Sequence, residues 1–187
     1  MEALLLSTTV VAVGEIGDKT QLLALMLACR YRRPWTIVAG ILVATLANHA
    51  LAGYVGHLVR DLVPADLLRW LLGGSFLAMA LWALKPDELD ETGPKLGYAG
   101  VFVVTLVSFF VAEMGDKTQI ATVMLAAKFP ALWAVVVGTT IGMLAANVPI
   151  AFAGRALSTR VPFKAIRIAA AAVFAALGIG VLVAGIP

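Results

Sequence analysis

The chain has 187 residues, of which 61% are hydrophobic and 13% charged, with a mean hydropathy of +0.98. A soluble domain carries about 45–50% apolar and about 25% charged residues, so this composition places the chain in the membrane class. The net charge of +3 comes with no basic, aromatic-laced stretch that would suit nucleic acid, and a single cysteine, Cys29, excludes an intramolecular disulfide.

The N-terminal "MEALLLSTTVVAVG" lacks a basic n-region and a clear cleavage site, and reads as the start of a retained helix rather than a signal peptide. A helix needs about 20 mainly apolar residues to cross a hydrocarbon core. Segments 3–28, 35–59, 65–84, 97–127, 132–154 and 163–185 meet that requirement, which predicts six spans. Proline-bearing turns such as "CRYRRP", "RDLVPAD", "KFP" and "RALSTRVP" separate them. The one clearly polar stretch, "KPDELDETGPK" at 85–95, carries Asp87, Glu88, Asp90 and Glu91 and reads as a solvated linker. Its spacing does not match an EF-hand loop.

Two septapeptides interrupt the apolar runs: "EIGDKTQ" at 15–21 and "EMGDKTQ" at 113–119, 98 residues apart. The match extends further, with Trp35 facing Trp133, Gly40 facing Gly138, Arg69 facing Arg167 and Phe76 facing Phe174. The "AN" at 47–48 meets the "AN" at 146–147 after a one-residue slip. Such self-similarity marks a duplication. Three helices per copy is an odd number, so the second copy enters the membrane from the opposite side. The expected fold is an all-α membrane protein of six transmembrane helices in two inverted, antiparallel three-helix repeats. Residues 1–84 and 97–187 form the repeats of one integral membrane domain, joined by the acidic linker 85–96. Nine basic residues on the side of loops 1, 3 and 5 against three on the other predict both termini outside the cytoplasm.

Ionisable groups inside a span cost on the order of 2.5–3.5 kcal/mol each. Each motif holds three: Glu15, Asp18 and Lys19, then Glu113, Asp116 and Lys117. Residues three apart share a helical face, and each lysine follows its glutamate at i+4, within reach of an ion pair inside its own copy. Gly17 and Gly115 weaken the helix and admit a close neighbour, and a local unwinding at "GD" would free carbonyls to act as ligands. Four carboxylates and two ammoniums sum to −2 when all are ionised, which one divalent cation or two protons would neutralise. That balance suits a cation/proton exchanger, provided the acids converge. Glu15, Asp18, Glu113 and Asp116 are therefore the expected metal ligands. Thr20, Thr118, Gln21, Gln119, Asn48 and Asn147 are neutral oxygen donors in support, a set that suits Ca²⁺, Mn²⁺ or Mg²⁺. Met26 and Met124 read as packing residues, and Trp35 and Trp133 as interface anchors. His49 and His57, in the second span only and without counterparts in the second copy, read as structural, with proton relay as the alternative.

The doubled E-x-G-D-K-T in a six-span chain resembles the family of small cation/proton exchangers that includes bacterial MneA-type manganese exporters and Golgi calcium and manganese transporters. The resemblance covers essentially the whole chain, and both signatures are intact. It implies Mn²⁺ or Ca²⁺ moving against protons at these acids, with Mn²⁺ export from a bacterial inner membrane favoured. The partners are then a divalent ion, protons and the bilayer, with no resident cofactor; the oligomeric state stays open. Intramembrane ion pairs that merely lock helices would leave the excess acid in each copy unexplained. A passive channel would use the same acids without coupling to a pH gradient. The HExxH and GxSxG patterns of intramembrane enzymes are not found.

Overall fold

The computed structural model describes residues 1–85, 100–153 and 163–184, and every regular element among them is helical. The helices are α1 Glu2–Glu15, α2 Lys19–Tyr31, α3 Pro34–Leu62, α4 Ala65–Ala83, α5 Val101–Glu113, α6 Lys117–Lys128, α7 Leu132–Ala153 and α8 Phe163–Ala184. The acidic part of the 85–96 linker, and Lys95, Arg155 and Arg160 of the charge count, lie outside the described residues.

Among the described residues, three helices are long and apolar enough to cross a membrane: Pro34–Leu62, Leu132–Ala153 and, within α8, Arg167–Ala184. The segments 3–28 and 97–127, expected as continuous spans, are instead each broken in two at the motif. The local cause is legible residue by residue. Glu15 ends α1, Ile16 is extended, Gly17 takes φ +84°, and Asp18 starts α2 as its N-cap. Glu113, Met114, Gly115 (φ +75°) and Asp116 repeat the sequence of conformations between α5 and α6. A positive φ costs an L-residue roughly 1–2 kcal/mol and costs glycine almost nothing, so the break needs glycine there.

The three-residue spacing from glutamate to aspartate therefore does not place them on one continuous helical face. The two sit at the ends of different helices.

Packing runs between the halves of the chain. α1 lies along α7, α3 along α5 and α6, α2 against α7, and α3 crosses α7. α4 and α8 pair with each other, and α4 also meets α6 while α8 meets α1. In lipid, helices associate through close van der Waals fit rather than apolar burial, so small residues mark their crossings. A Cβ added at Gly40 would lie 2.7 Å from the Thr105 side chain, and one at Gly138 would lie 2.6 Å from the Leu4 carbonyl and 3.0 Å from Ser7. Phe76 and Phe174 are both fully buried, in a cluster drawn chiefly from α1, α4, α6 and α8. A second cluster, around Ile37, Ile41, Phe109 and Met143, joins α2, α3, α5 and α7.

Gly115→Ala isolates the backbone term, because the added Cβ meets nothing within 4 Å. It is expected to lower unfolding stability in detergent by about 1–2 kcal/mol. An unchanged unfolding midpoint would show that the left-handed turn constrains nothing.

Candidate functional site

The break between α1 and α2 is held by its own side chains. Asp18 Oδ1 accepts from the Lys19 backbone N–H at 2.6 Å, and Gln21 Oε1 accepts from the Gly17 N–H at 2.9 Å. The second motif repeats the device: Asp116 Oδ2 accepts from Thr118 N at 3.4 Å, and Gln119 Oε1 from Gly115 N at 2.7 Å. This is a variant of the capping box, with the glutamine at the third helical position reaching back past the N-cap. Both glutamines also bridge the halves. Gln21 Nε2 donates to the Ala146 carbonyl at 3.1 Å, and Gln119 Nε2 donates to Asn48 Oδ1. Both ends of each glutamine are thus engaged in hydrogen bonds that brace the break against the other half.

The lysines depart from expectation. Neither pairs with the glutamate four residues before it; the helix break removes the i+4 geometry. Lys19 Nζ lies 3.0 Å from Asp116 Oδ1, and Lys117 Nζ lies 3.0 Å from Asp18 Oδ2. The pairs are reciprocal, each lysine crossing to the other motif's aspartate. They differ in burial: the Lys19 side chain is 26% exposed and that of Lys117 is 4% exposed.

With the aspartates matched to lysines, the glutamates stand apart. Both are fully buried. Glu15 Oε1 accepts from Asn147 Nδ2 at 3.2 Å, and its Oε2 has no hydrogen-bond partner. Glu113 Oε2 accepts from Thr118 Oγ1 at 3.1 Å and lies 3.7 Å from His49 Nε2, while its Oε1 has no partner. Asn147 Oδ1 is also buried and unpartnered, as is Thr20 Oγ1. Asn48 sits elsewhere in the arrangement, its Nδ2 on the Phe110 carbonyl at 3.3 Å.

Glu15 is within electrostatic range of Glu113, Asp18 and Asp116, and Lys19 within range of Asp116, Asp18 and Glu113. The six charged side chains thus form one cluster. They do not form a ready-made cage: among the described residues no three His, Cys, Asp or Glu side chains group tightly enough to hold a metal. A divalent ion would have to draw the glutamates and their neighbours together.

His49, read from the sequence as structural with proton relay as the alternative, lies beside the cluster. It is fully buried against Glu113, whereas His57 is half-buried beside Asp61 at 3.7 Å. The signal was present in the unslipped register, since His49 and Asn147 are 98 residues apart.

An all-helical fold with ionisable side chains buried where apolar helices break is that of a membrane protein that handles ions. The model of the family described as "Divalent cation/proton antiporter GDT1" matches residues 3–91 and 101–187, and the chain belongs to that family. It is 51% identical over 175 residues to a Vibrio cholerae protein named "Putative manganese exporter", covering 93% of this chain and 87% of that one. It is 28% identical to the GDT1-like protein sll0615 of Synechocystis, covering 83% of this chain and 84% of that one. It is 29% identical to GDT1-like protein 4 of Oryza sativa subsp. indica, covering 75% of this chain and 59% of the relative. No solved structure matches.

Removing one partner of a buried ion pair costs about 3–5 kcal/mol, because the other charge stays behind. Lys117→Met is expected to approach that loss in detergent unfolding, and Lys19→Met to fall short of it because solvent screens its pair. Adding Asp18→Asn to Lys117→Met should recover part of the stability. Equal losses in the two single variants would show that the difference in burial has no energetic consequence.

Proposed function

We propose that the chain exports Mn²⁺ across a bacterial inner membrane in exchange for protons, binding the ion at Glu15 and Glu113 with Asp18 and Asp116 close by. The observation that carries this reading is the division of the four carboxylates. The two lysines match the two aspartates, which leaves the glutamates buried, without an ammonium partner, each with an orphaned oxygen. A buried pair of uncompensated acids calls for a mobile positive partner, either one divalent ion or two protons. Antiport needs both to compete for the same oxygens. Oxygen donors suit Mn²⁺. The choice of manganese over calcium leans on the printed name of the Vibrio cholerae relative.

In this reading α1 with α2 and α5 with α6 each count as one broken span, giving six with α3, α4, α7 and α8. Residues 1–84 and 97–187 are the inverted repeats, 85–96 links them, and both termini face outside the cytoplasm. The matched glycine crossings and reciprocal bonds between the halves support the two-fold relation. The Asp–Lys pairs tie the two motifs into one body. Access then alternates by movement of the helices around that body, as in other transporters with discontinuous helices. Thr118 holds Glu113, and Asn147 holds Glu15.

Flux in proteoliposomes under an imposed pH gradient tests the reading, with Mn²⁺, Ca²⁺, Mg²⁺ and Zn²⁺ compared. Glu15→Gln and Glu113→Gln are each expected to reduce Mn²⁺-coupled proton movement to the level of empty liposomes. Wild-type exchange in both Glu15→Gln and Asp116→Asn would sink the proposed site.

A further inference from the structure

The contacts between the halves obey one register. Asn147 reaches Glu15, and His49 faces Glu113. Gln21 reaches Ala146, and Gln119 reaches Asn48. Gly40 meets Phe102 and Thr105, while Gly138 meets Leu4 and Ser7. In every case the second contact is the first displaced by 98 residues in both partners. The one-residue slip that aligns the two "AN" pairs is therefore not the structural correspondence. His49 stands where the other half places Asn147.

The two residues behave differently in the same place. Asn147 donates its amide to Glu15 at 3.2 Å and to the Met143 carbonyl at 3.1 Å. His49 is equally buried, yet neither ring nitrogen has a hydrogen-bond partner. Its nearest charged neighbour, Glu113 Oε2, lies 3.7 Å from Nε2, too far for a hydrogen bond. Leaving buried polar atoms unsatisfied is costly, so such an imidazole needs a partner that the protein's own groups do not provide.

The spacing suits a shared ion. Two donors bound about 2.1 Å from one small divalent metal, at angles between a right angle and a tetrahedral or wider one, stand roughly 3–4 Å apart. Building on the proposed site, we propose that His49 is a nitrogen ligand to the transported ion. It joins Glu113 on one side, while Asn147 Oδ1 and Glu15 supply oxygens on the other. Ca²⁺ and Mg²⁺ take oxygen donors, whereas imidazole favours first-row transition ions. One nitrogen in an otherwise oxygen-based site selects Mn²⁺ and its transition-metal neighbours against the far more abundant alkaline-earth ions. The asymmetry between the halves thus becomes a selectivity device.

The test uses the full chain in detergent or nanodiscs loaded with Mn²⁺ alone, read by electron spin-echo envelope modulation. Wild type is expected to show ¹⁴N modulation from a directly bound imidazole, changing to a ¹⁵N pattern when the protein is labelled with ¹⁵N-histidine. His49→Asn, which makes the two halves alike, is expected to lose the nitrogen signal and to weaken Mn²⁺ binding. Its preference for Mn²⁺ over Ca²⁺ in competition binding should fall roughly tenfold or more. The labelling arm needs no substitution, so misfolding of the variant does not remove the test. Mn²⁺ bound in a Glu113-dependent way without nitrogen modulation would overturn the role of His49 and leave the exchanger reading standing. Mn²⁺ binding that is absent, or indifferent to Glu113→Gln, would overturn both.

Discussion

Everything at the centre of this protein depends on two aspartates that each do two things at once. Asp18 puts one oxygen on the first N–H of α2 and the other on Lys117 of the opposite motif. Asp116 caps α6 with one oxygen and meets Lys19 with the other. A carboxylate with both oxygens engaged by donors is tolerable in a medium where a bare charge is not. Because one bond is local and the other crosses the chain, the same side chain both starts its helix and locates it against the other half. Buried ion pairs are weak sources of net stability but strong sources of geometric definition when their partners are unique. Here each ammonium has the other motif's aspartate beside it, and the reciprocity brings the two helix breaks face to face.

The glycines make that approach possible. Gly17 and Gly115 supply the left-handed turns, and Gly40 and Gly138 allow α3 and α7 to come close to α5 and α1. The gap between the helix ends stays narrow enough for Gln21 and Gln119 to bridge it with one side chain each. Backbone permissiveness, capping chemistry and side-chain reach are three demands on one seven-residue string. That is a physical reason for finding the string twice, nearly unchanged.

Much of this was legible in the sequence. The helical, membrane-embedded character followed from composition, the duplication from the doubled string, and the weak point in the helix from Gly17 and Gly115. What escaped was the pairing. The i+4 spacing from Glu15 to Lys19 suggests an ion pair within one helix, but that rule presupposes an unbroken helix, and the break at Gly17 removes it. Registration failed at Asn48 for a related reason. Matching letters favoured the slipped "AN", whereas position along the helix aligns His49 with Asn147. Geometry follows position, and a histidine and an asparagine facing equivalent glutamates do not look alike in a string. The glutamine oxygens accept from Gly17 and Gly115 because a helix break leaves N–H groups that must be satisfied.

The position of each acid relative to the helix ends explains why aspartate and glutamate take different parts. Asp18 and Asp116 lie at the N-termini of α2 and α6, where the unsatisfied N–H groups and the helix dipole favour negative charge. Glu15 and Glu113 are the last residues of α1 and α5, beside the carbonyl ends, where the dipole disfavours an anion and welcomes a cation. The break therefore sorts the carboxylates by local field. The aspartates are held in a positive setting and engaged by lysines. The glutamates sit in a negative setting with orphaned oxygens, and any cation that reaches them is favoured by the side chain and the helix end together. A continuous helix carrying the same residues would offer no such sorting. It is the interruption, rather than the acids alone, that places two of the four buried carboxylates at helix N-termini and two at helix C-termini.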